Sequence, residues 1–213
     1  MTVPEDNSIG FGIAEMAYIL QLQNTAAATE SANWLRLRDE STDLEMIRAG
    51  LSSLVARGMA SATAGSELSF TPQVDVVAYT LAKAARWTQI DLLQSAVLGD
   101  TVLQIESDRT KLLFQPRTMQ AWFVLPQDPA TSAEAAQSYL VRDHLATHPE
   151  GGVRLRTSGP EGEYGFLVRQ ETEGWVCAAV DGDNVGPATA PLSEAGLRHS
   201  LLSFRTGSPL TDD

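Results

Sequence analysis

The sequence predicts an α+β fold: an antiparallel β-meander sheet packed with helices, preceded by a helical N-terminal section whose layout also fits a winged helix. Apolar residues recur at helical spacing in the first 86 residues, and from Trp87 the period changes towards 2. The strands that follow are joined by connections short enough for hairpins.

The N-terminal section begins with a helix predicted over 11–23, whose apolar face comprises Ile13, Met16, Ala17 and Leu20. Residues 25–31 are predicted to be a frayed helix end or a loop. Residues 34–38 alternate apolar and polar side chains and favour a short strand over a second helix start.

A second helix is predicted over 43–57, with Thr42 and Glu45 as a capping box at its start and Gly58 as a left-handed cap at its end. Its predicted buried stripe comprises Leu44, Ile47, Leu51, Leu54 and Val55.

A third helix is predicted after a flexible stretch (60–66) and a short strand (68–70). Thr71 is its expected N-cap and Pro72 its first residue. Its predicted core face comprises Val74, Val77, Ala78, Leu81 and Ala82.

The predicted meander has four strands, at 89–97, 101–105, 111–114 and 119–125, with Gly99 and Asp100 as a tight turn. Its last strand has apolar residues on both faces, so it needs cover on both sides or a partner on one. These residues are Met119, Ala121, Trp122, Phe123 and Val124.

The second half repeats the order of a helix followed by hairpins. Thr131 or Ser132 is predicted to cap a helix that ends near Thr147, with Ala136, Leu140, Val141, His144 and Leu145 on one side. Three strands follow, at 153–156, 165–169 and 175–180, and then an irregular stretch over 181–191. Ser193 caps a last helix whose apolar residues are Leu197, Leu201, Leu202 and Phe204.

The length favours a single α+β domain over 1–213. The alternative is a helical subdomain (1–86), a sheet-containing subdomain (87–205) and a disordered tail (206–213).

Charge excludes a polyanion as the main partner. The net charge is -12, and the acidic excess is spread along the chain, with 6 basic and 10 acidic residues in 1–90 and 9 and 17 in 91–213. Both halves would repel a phosphate backbone. The single cysteine, Cys177, and the acidic N-terminus without a signal-peptide pattern predict a cytoplasmic protein without membrane insertion.

No sequence motif predicts a metal, a cofactor or a catalytic residue. His144 and His148 have the spacing of two ligands on one helix face, but the glutamate of a metalloprotease motif is absent. The acidic loop that starts at Asp181 resembles a calcium loop but has Leu192 at its twelfth place, where a bidentate glutamate is required. Cys177 lies in an apolar strand, where a thiol is inert.

A winged-helix regulator is the second hypothesis, with 43–57 as the recognition helix. Arg48 and Arg57 would contact DNA, but Asp43 and Glu45 offset their charge. The third hypothesis, an enzyme of unrecognised type, requires a deep pocket with convergent ionisable groups.

Residues 44–125 resemble a known family in their layout. A helix ends in Leu51-Ser52-Ser53-Leu54-Val55-Ala56-Arg57-Gly58, Phe70-Thr71-Pro72 opens the next helix, and a strand leads through Gly99-Asp100 into Val102-Leu103-Gln104-Ile105. This layout is similar to the EspG family of actinobacterial type VII secretion chaperones. The resemblance implies a cytosolic, non-enzymatic α+β protein that binds PE–PPE heterodimers by capping a hydrophobic tip of the PPE partner.

The leading hypothesis is therefore a non-catalytic protein-binding protein, with no assignment of its oligomeric state. Trp34, Trp87 and Trp122 are candidate partner-binding residues, because tryptophan is enriched at interface hot spots. The competing interpretation is that these side chains anchor the core.

Overall fold

The computed structural model describes residues 8–62, 67–95 and 97–210. The predicted α+β class is confirmed by six helices and a large antiparallel sheet among these residues. The chain forms two compact units, Met1–Trp87 with Leu103–Gln127 and Thr88–Val102 with Asp128–Asp213. The single-domain organisation of 1–213 stays a prediction.

The first unit contains four helices, a 3-10 turn at Glu40–Thr42 and five complete strands: α1 (Ile13–Gln23), α2 (Ala26–Leu35), α3 (Leu44–Ala56), α4 (Pro72–Ala82), β1 (Ile9–Gly12), β2 (Ala60–Ala62), β3 (Leu68–Phe70), β6 (Lys111–Arg117) and β7 (Ala121–Pro126). The boundary between the units divides two strands, β4 (Arg86–Leu93) and β5 (Gly99–Glu106). The second unit contains α5 (Ala133–Thr147), α6 (Glu194–Thr206), β8 (Gly152–Gly159), β9 (Gly162–Glu171), β10 (Gly174–Asp181) and β11 (Asn184–Ala188).

The predicted meander is confirmed, since β4 to β7 are neighbours both in sequence and in the sheet. In the first unit the strand order is β1-β7-β6-β5, and in the second it is β4-β8-β9-β10-β11. The turn predicted at Gly99 and Asp100 is wrong, because these residues begin β5. A Cβ on Gly99 would lie 2.7 Å from the carbonyl oxygen of Leu92, so the glycine permits close approach of backbones.

The interpretation of residues 25–38 as a loop and a short strand is wrong. They form α2, which begins where the Thr25 hydroxyl accepts a hydrogen bond from the Ala28 amide and ends at Arg36 in the left-handed conformation. The high helix propensity of the alanines prevails over a short alternation of polar and apolar residues. The helix predicted from residue 11 begins at Ile13, because Ile9–Gly12 pairs with β7 as β1.

The N-cap of α3 is Asp43 and not Thr42. The Asp43 carboxylate accepts hydrogen bonds from the amides of Glu45 and Met46, whereas Thr42 belongs to the 3-10 turn. The left-handed Gly58 is confirmed at the other end. Its amide donates to Val55 and that of Met59 to Leu54, which is the Schellman pattern.

The start and the core face of α4 are as predicted. Pro72 is its first residue, and all five predicted core side chains are buried. Val74, Val77, Ala78 and Leu81 join the hydrophobic core of the first unit. The largest fully buried side chains of this core include Phe11, Met16, Leu54, Ile105 and Phe114.

In the second unit the N-caps Ser132 and Ser193 are confirmed by hydrogen bonds to the amides of Ala135 and Gly196. The stretch predicted to be irregular contains β11, which pairs with β10 through a hairpin with Gly182 in the left-handed conformation. Of the apolar residues predicted on the last helix, Leu197, Leu201 and Phe204 are buried and Leu202 is exposed. Residues 63–66 of the predicted flexible stretch and 211–213 of the predicted tail lie outside the described residues.

Candidate protein-binding surface

Helix α3 carries apolar side chains over a wider arc of its surface than the neighbouring elements cover. Gly50 and Leu54 are buried, whereas Leu44 is 67% exposed, Val55 is 47% exposed and Leu51 is half-buried. At 3.6 residues per turn, positions 44, 51 and 55 lie within a narrow stripe beside the buried face. We call Leu44, Leu51 and Val55 the α3 stripe. Their predicted burial is therefore wrong for Leu44 and Val55.

The position of α3 is set by close contact of its backbone with α1. A Cβ on Gly50 would lie only 1.9 Å from the carbonyl oxygen of Ala14 and 2.9 Å from the Cβ of Tyr18. Only glycine permits this approach, so the two helices meet with no freedom to repack.

An ion pair with a buried carboxylate also joins the two helices. The Arg57 Nη1 lies 2.6 Å from the Glu15 Oε2, and the Ser53 hydroxyl donates to the Glu15 Oε1 at 2.7 Å. The Glu15 side chain is almost fully buried, and that of Arg57 is about half exposed. Because a buried carboxylate needs such partners, the contact holds the C-terminal end of α3 against α1.

The small hairpin of β2 and β3 follows α3 directly and contacts it. Its base is closed by the Thr71 amide, which donates to the Met59 carbonyl at 3.0 Å, and Phe70 lies 6.1 Å from the ring of Tyr18. Leu68 of β3 is 41% exposed and pairs with the exposed Ala62. The hairpin thus adds an exposed apolar side chain beyond the α3 stripe.

Strand β7 carries a second exposed apolar area. Trp122 and Val124 point into the core, whereas Phe123 is exposed and the Arg117 guanidinium lies 5.5 Å from its ring centroid. Met119, in the turn before β7, is 97% exposed and has a positive φ. One face of β7 is therefore covered by the core, and the apolar side chains on its other face are partly exposed.

An apolar cleft of about 230 Å³ lies in the first unit, where α4 packs on the sheet. Val76 and Val77 line it from α4, and the remaining lining residues are Ile9, Pro72, Gln73, Leu112, Val124 and Pro126. None of the described residues that line the cleft has an ionisable side chain.

The three candidate tryptophans differ in exposure. Trp87 and Trp122 are buried in the core cluster, where the indole N–H of Trp87 donates to the Ser31 hydroxyl at 3.0 Å. Trp34 is half-buried and donates to the Glu30 carboxylate at 2.8 Å. A contact of any of them with a partner stays a prediction, and Trp34 is the one with the most exposed surface.

The candidate metal and catalytic residues are not assembled into a site in the part of the chain that the structure describes. There, no three His, Cys, Asp or Glu side chains are close enough to hold a metal ion. His144 and His148 stack with ring centroids 4.8 Å apart, and the His144 Nε2 lies 3.0 Å from the Leu93 carbonyl oxygen. Cys177 is fully buried, and this burial raises the pKa of its thiol to about 12.

The structure has the element order of a winged helix but not the basic charges that DNA binding requires. Helices α1 to α3 are followed by the β2–β3 hairpin, as in a winged helix. However, the Arg57 guanidinium is bound to Glu15 and to the Gly10 carbonyl, and Asp43 and Glu45 lie at the start of α3. Arg48 is the only basic residue within α3, which is too little charge for a recognition helix.

No helix in residues 8–62, 67–95 and 97–210 is both long enough and apolar enough to cross a membrane.

Comparison with known proteins gives a likeness in fold alone. No protein-family profile matches the chain, and no curated protein matches it in sequence. The solved structure of the Mycobacterium tuberculosis type VII secretion system chaperone EspG5, in complex with the PE25–PPE41 dimer, has a similar fold. The TM-score is 0.61 with 10% sequence identity, and the match covers 95% of this chain and 97% of that chain. The similarity thus extends well beyond residues 44–125.

Proposed function

We propose that this protein is a non-catalytic, cytosolic chaperone of type VII secretion that binds a PE–PPE-like heterodimer. The proposal is supported by the similarity of its fold to that of EspG5 over nearly the whole chain. The absence of a catalytic or metal-binding motif from the sequence is consistent with a binding role.

The observation that carries the proposal is the α3 stripe. Scattered apolar side chains on a surface are normal, but here Leu44, Leu51 and Val55 lie along one stripe of one helix. Burial of a leucine or valine side chain contributes about 1.5–3 kcal/mol when it is transferred fully from water. A partner with an apolar tip would supply the cover that the first unit does not.

The rigid attachment of α3 makes it suitable as a binding element. Gly50 and the Glu15–Arg57 pair fix the helix on α1, so little conformational entropy is lost when a partner docks. Leu68 on the hairpin and the half-buried Trp34 are further residues that we expect near such an interface.

The proposal is tested by co-expression of the chain with PE–PPE dimers, including PE25–PPE41, followed by affinity purification and size-exclusion chromatography. A stable complex with at least one pair is the expected result. Separate elution of every pair under low-stringency conditions would remove the main support of the proposal.

The surface is tested by the double variant Leu44→Asp/Val55→Lys. These charges complement the helix dipole at the start and near the end of α3, so they should leave the fold intact. We expect at least about tenfold weaker binding, equivalent to about 1.4 kcal/mol. The control is Val185→Asp/Leu202→Lys, which introduces the same two charges at side chains of β11 and α6 that are 58% and 45% exposed. Equal binding by both variants would exclude the α3 stripe.

A further inference from the structure

Among the described residues, the sheet of the first unit ends at β1, and side chains of α1 and of the end of α3 bind the outer side of this strand. On its other side β1 pairs with β7, from Ile9 opposite Val124 to Gly12 opposite Ala121. An edge strand normally presents unpaired N–H and C=O groups, which form a template for another strand.

Two backbone groups of β1 are instead bound by charged side chains. The Gly10 carbonyl accepts a hydrogen bond from the Arg57 Nη2 at 3.0 Å, and the Gly12 amide donates to the Glu15 Oε2 at 3.0 Å. Residues two apart in a strand direct their backbone groups to the same side. The Arg57 guanidinium and the Glu15 carboxylate therefore occupy the positions that the N–H and C=O groups of a neighbouring strand would take.

The side chains of Glu15 and Arg57 also bind each other. Arg57 and Glu15 contact each other at 2.6 Å, and Ser53 holds the second carboxylate oxygen. One guanidinium thus binds both the carboxylate and the Gly10 carbonyl, which lysine could not do with the same geometry.

We infer that the β1 edge is a latent strand-pairing site, kept closed by the Glu15–Arg57 pair, and that the partner it fits is β1 of a second copy of this chain. The edge is self-complementary about Phe11. In an antiparallel pair related by a two-fold axis at Phe11, the Gly10 carbonyl of each copy would accept from the Gly12 amide of the other. Two glycines at these positions place no side chain in the way.

This inference does not rest on the proposed function, because self-association is measured on the protein alone and uses none of the three residues of the α3 stripe, although the Glu15–Arg57 pair also fixes α3 on α1. The net charge of -12 opposes self-association. The test is therefore made with enough salt to screen that repulsion.

The experiment compares Glu15→Ala/Arg57→Ala with Glu45→Ala/Arg48→Ala. Both double variants remove one charge of each sign, and Glu45 and Arg48 are exposed on α3. Only the first variant frees both the Gly10 carbonyl and the Gly12 amide. Molar mass is measured by light scattering after size-exclusion chromatography over a range of concentrations. We expect Glu15→Ala/Arg57→Ala to dimerise with increasing concentration and the control to keep the mass of the wild type. Glu15→Ala/Arg57→Ala that stays folded at the wild-type mass at every concentration would overturn the inference.

A second variant tests whether the dimer uses β1. Gly12→Pro removes the amide donor, and the φ of -78° at Gly12 is close to that of proline. Added to Glu15→Ala/Arg57→Ala, it should restore the wild-type mass. A dimer that persists would show that another surface is used and would also overturn the inference. If Glu15→Ala/Arg57→Ala does not fold, Glu15→Leu/Arg57→Leu replaces it, because apolar side chains of similar volume often replace a buried ion pair without loss of stability.

Discussion

Glu15 and Gly50 show how single residues determine where α3 lies. One is a charged side chain buried beneath the helix, and the other is a glycine at which two backbones meet. Hydrophobic periodicity places neither residue on a packing face, because it weighs only apolar side chains. The helix could be predicted from the sequence, but its contact with α1 could not.

Gly50→Ala should destabilise the protein although alanine is the better helix former. The added Cβ would lie 1.9 Å from the Ala14 carbonyl oxygen, which is backbone and cannot move aside. We expect a loss of about 2 kcal/mol or more in the free energy of unfolding, measured by urea denaturation. Gly58→Ala is the control, since its Cβ meets nothing and only the φ of +70° costs about 1 kcal/mol. A smaller loss at position 50 than at 58 would argue against the close contact.

Cys177 should be unreactive in the folded protein and should add a pH dependence to its stability. Burial raises the pKa of the thiol from 9.0 to about 12, so the folded state disfavours the thiolate. The corresponding stabilisation is complete below pH 9 and is lost as the pH rises towards 12. In urea denaturation above pH 9, the wild type should therefore lose stability more steeply than Cys177→Ala. Parallel pH profiles, or rapid reaction of the native thiol with a disulfide reagent at pH 8, would contradict this prediction.

At the scale of elements, helix ends were predictable where a side chain or proline marks them. Pro72, Ser132, Ser193 and Gly58 all lie at the expected ends. The prediction of Thr42 was wrong because Asp43, one residue later, accepts from the Glu45 amide that a Thr42 cap would have bound, and also from Met46. Capping chemistry indicates a helix start to within a residue, and neighbouring polar side chains compete for the position.

Separate replacement of Thr42 and Asp43 tests which of the two residues caps α3. Asp43→Ala should cost about 1 kcal/mol, because the amides of Glu45 and Met46 lose their acceptor. Thr42→Ala should change stability by less than about 0.5 kcal/mol, since its hydroxyl only donates to the exposed Asp39 carbonyl. Thermal unfolding of both variants measures the difference. The opposite order would return the cap to Thr42.

Inner strands of the meander were predictable and the edge strands β1 and β11 were not. Inner strands carry the alternation of buried and exposed side chains, as in β6 and β7. β1 contains two glycines, and all five residues of β11 are exposed and include a glycine and Pro187. Such residues weaken the strand signal, yet they suit an edge because they discourage further pairing.

At the scale of the whole molecule, the residues of the candidate surface could be predicted but not their exposure. The sequence indicates one apolar arc from Leu44 to Val55, and periodicity cannot tell which part of an arc is covered. Exposure follows from the position of α3, which depends on Glu15 and Gly50. The tryptophans present the reverse case, because Trp87 and Trp122 have the chemistry of interface residues and lie in the core.

The overall charge limits how a partner is recognised. With a net charge of -12, the molecule repels other polyanions at long range. Under the proposed function, contact with the partner is apolar and acts at short range, and the α3 stripe and Leu68 provide the side chains.

The most direct test is hydrogen exchange of the complex with a PE–PPE dimer, read by mass spectrometry against the free protein. We predict slower exchange in α3 and in the described strands of the β2–β3 hairpin, and unchanged exchange in β8 to β11. A complex that protects the second unit and leaves α3 unchanged, or the failure of every PE–PPE dimer to bind, would contradict the assignment of this surface to partner binding.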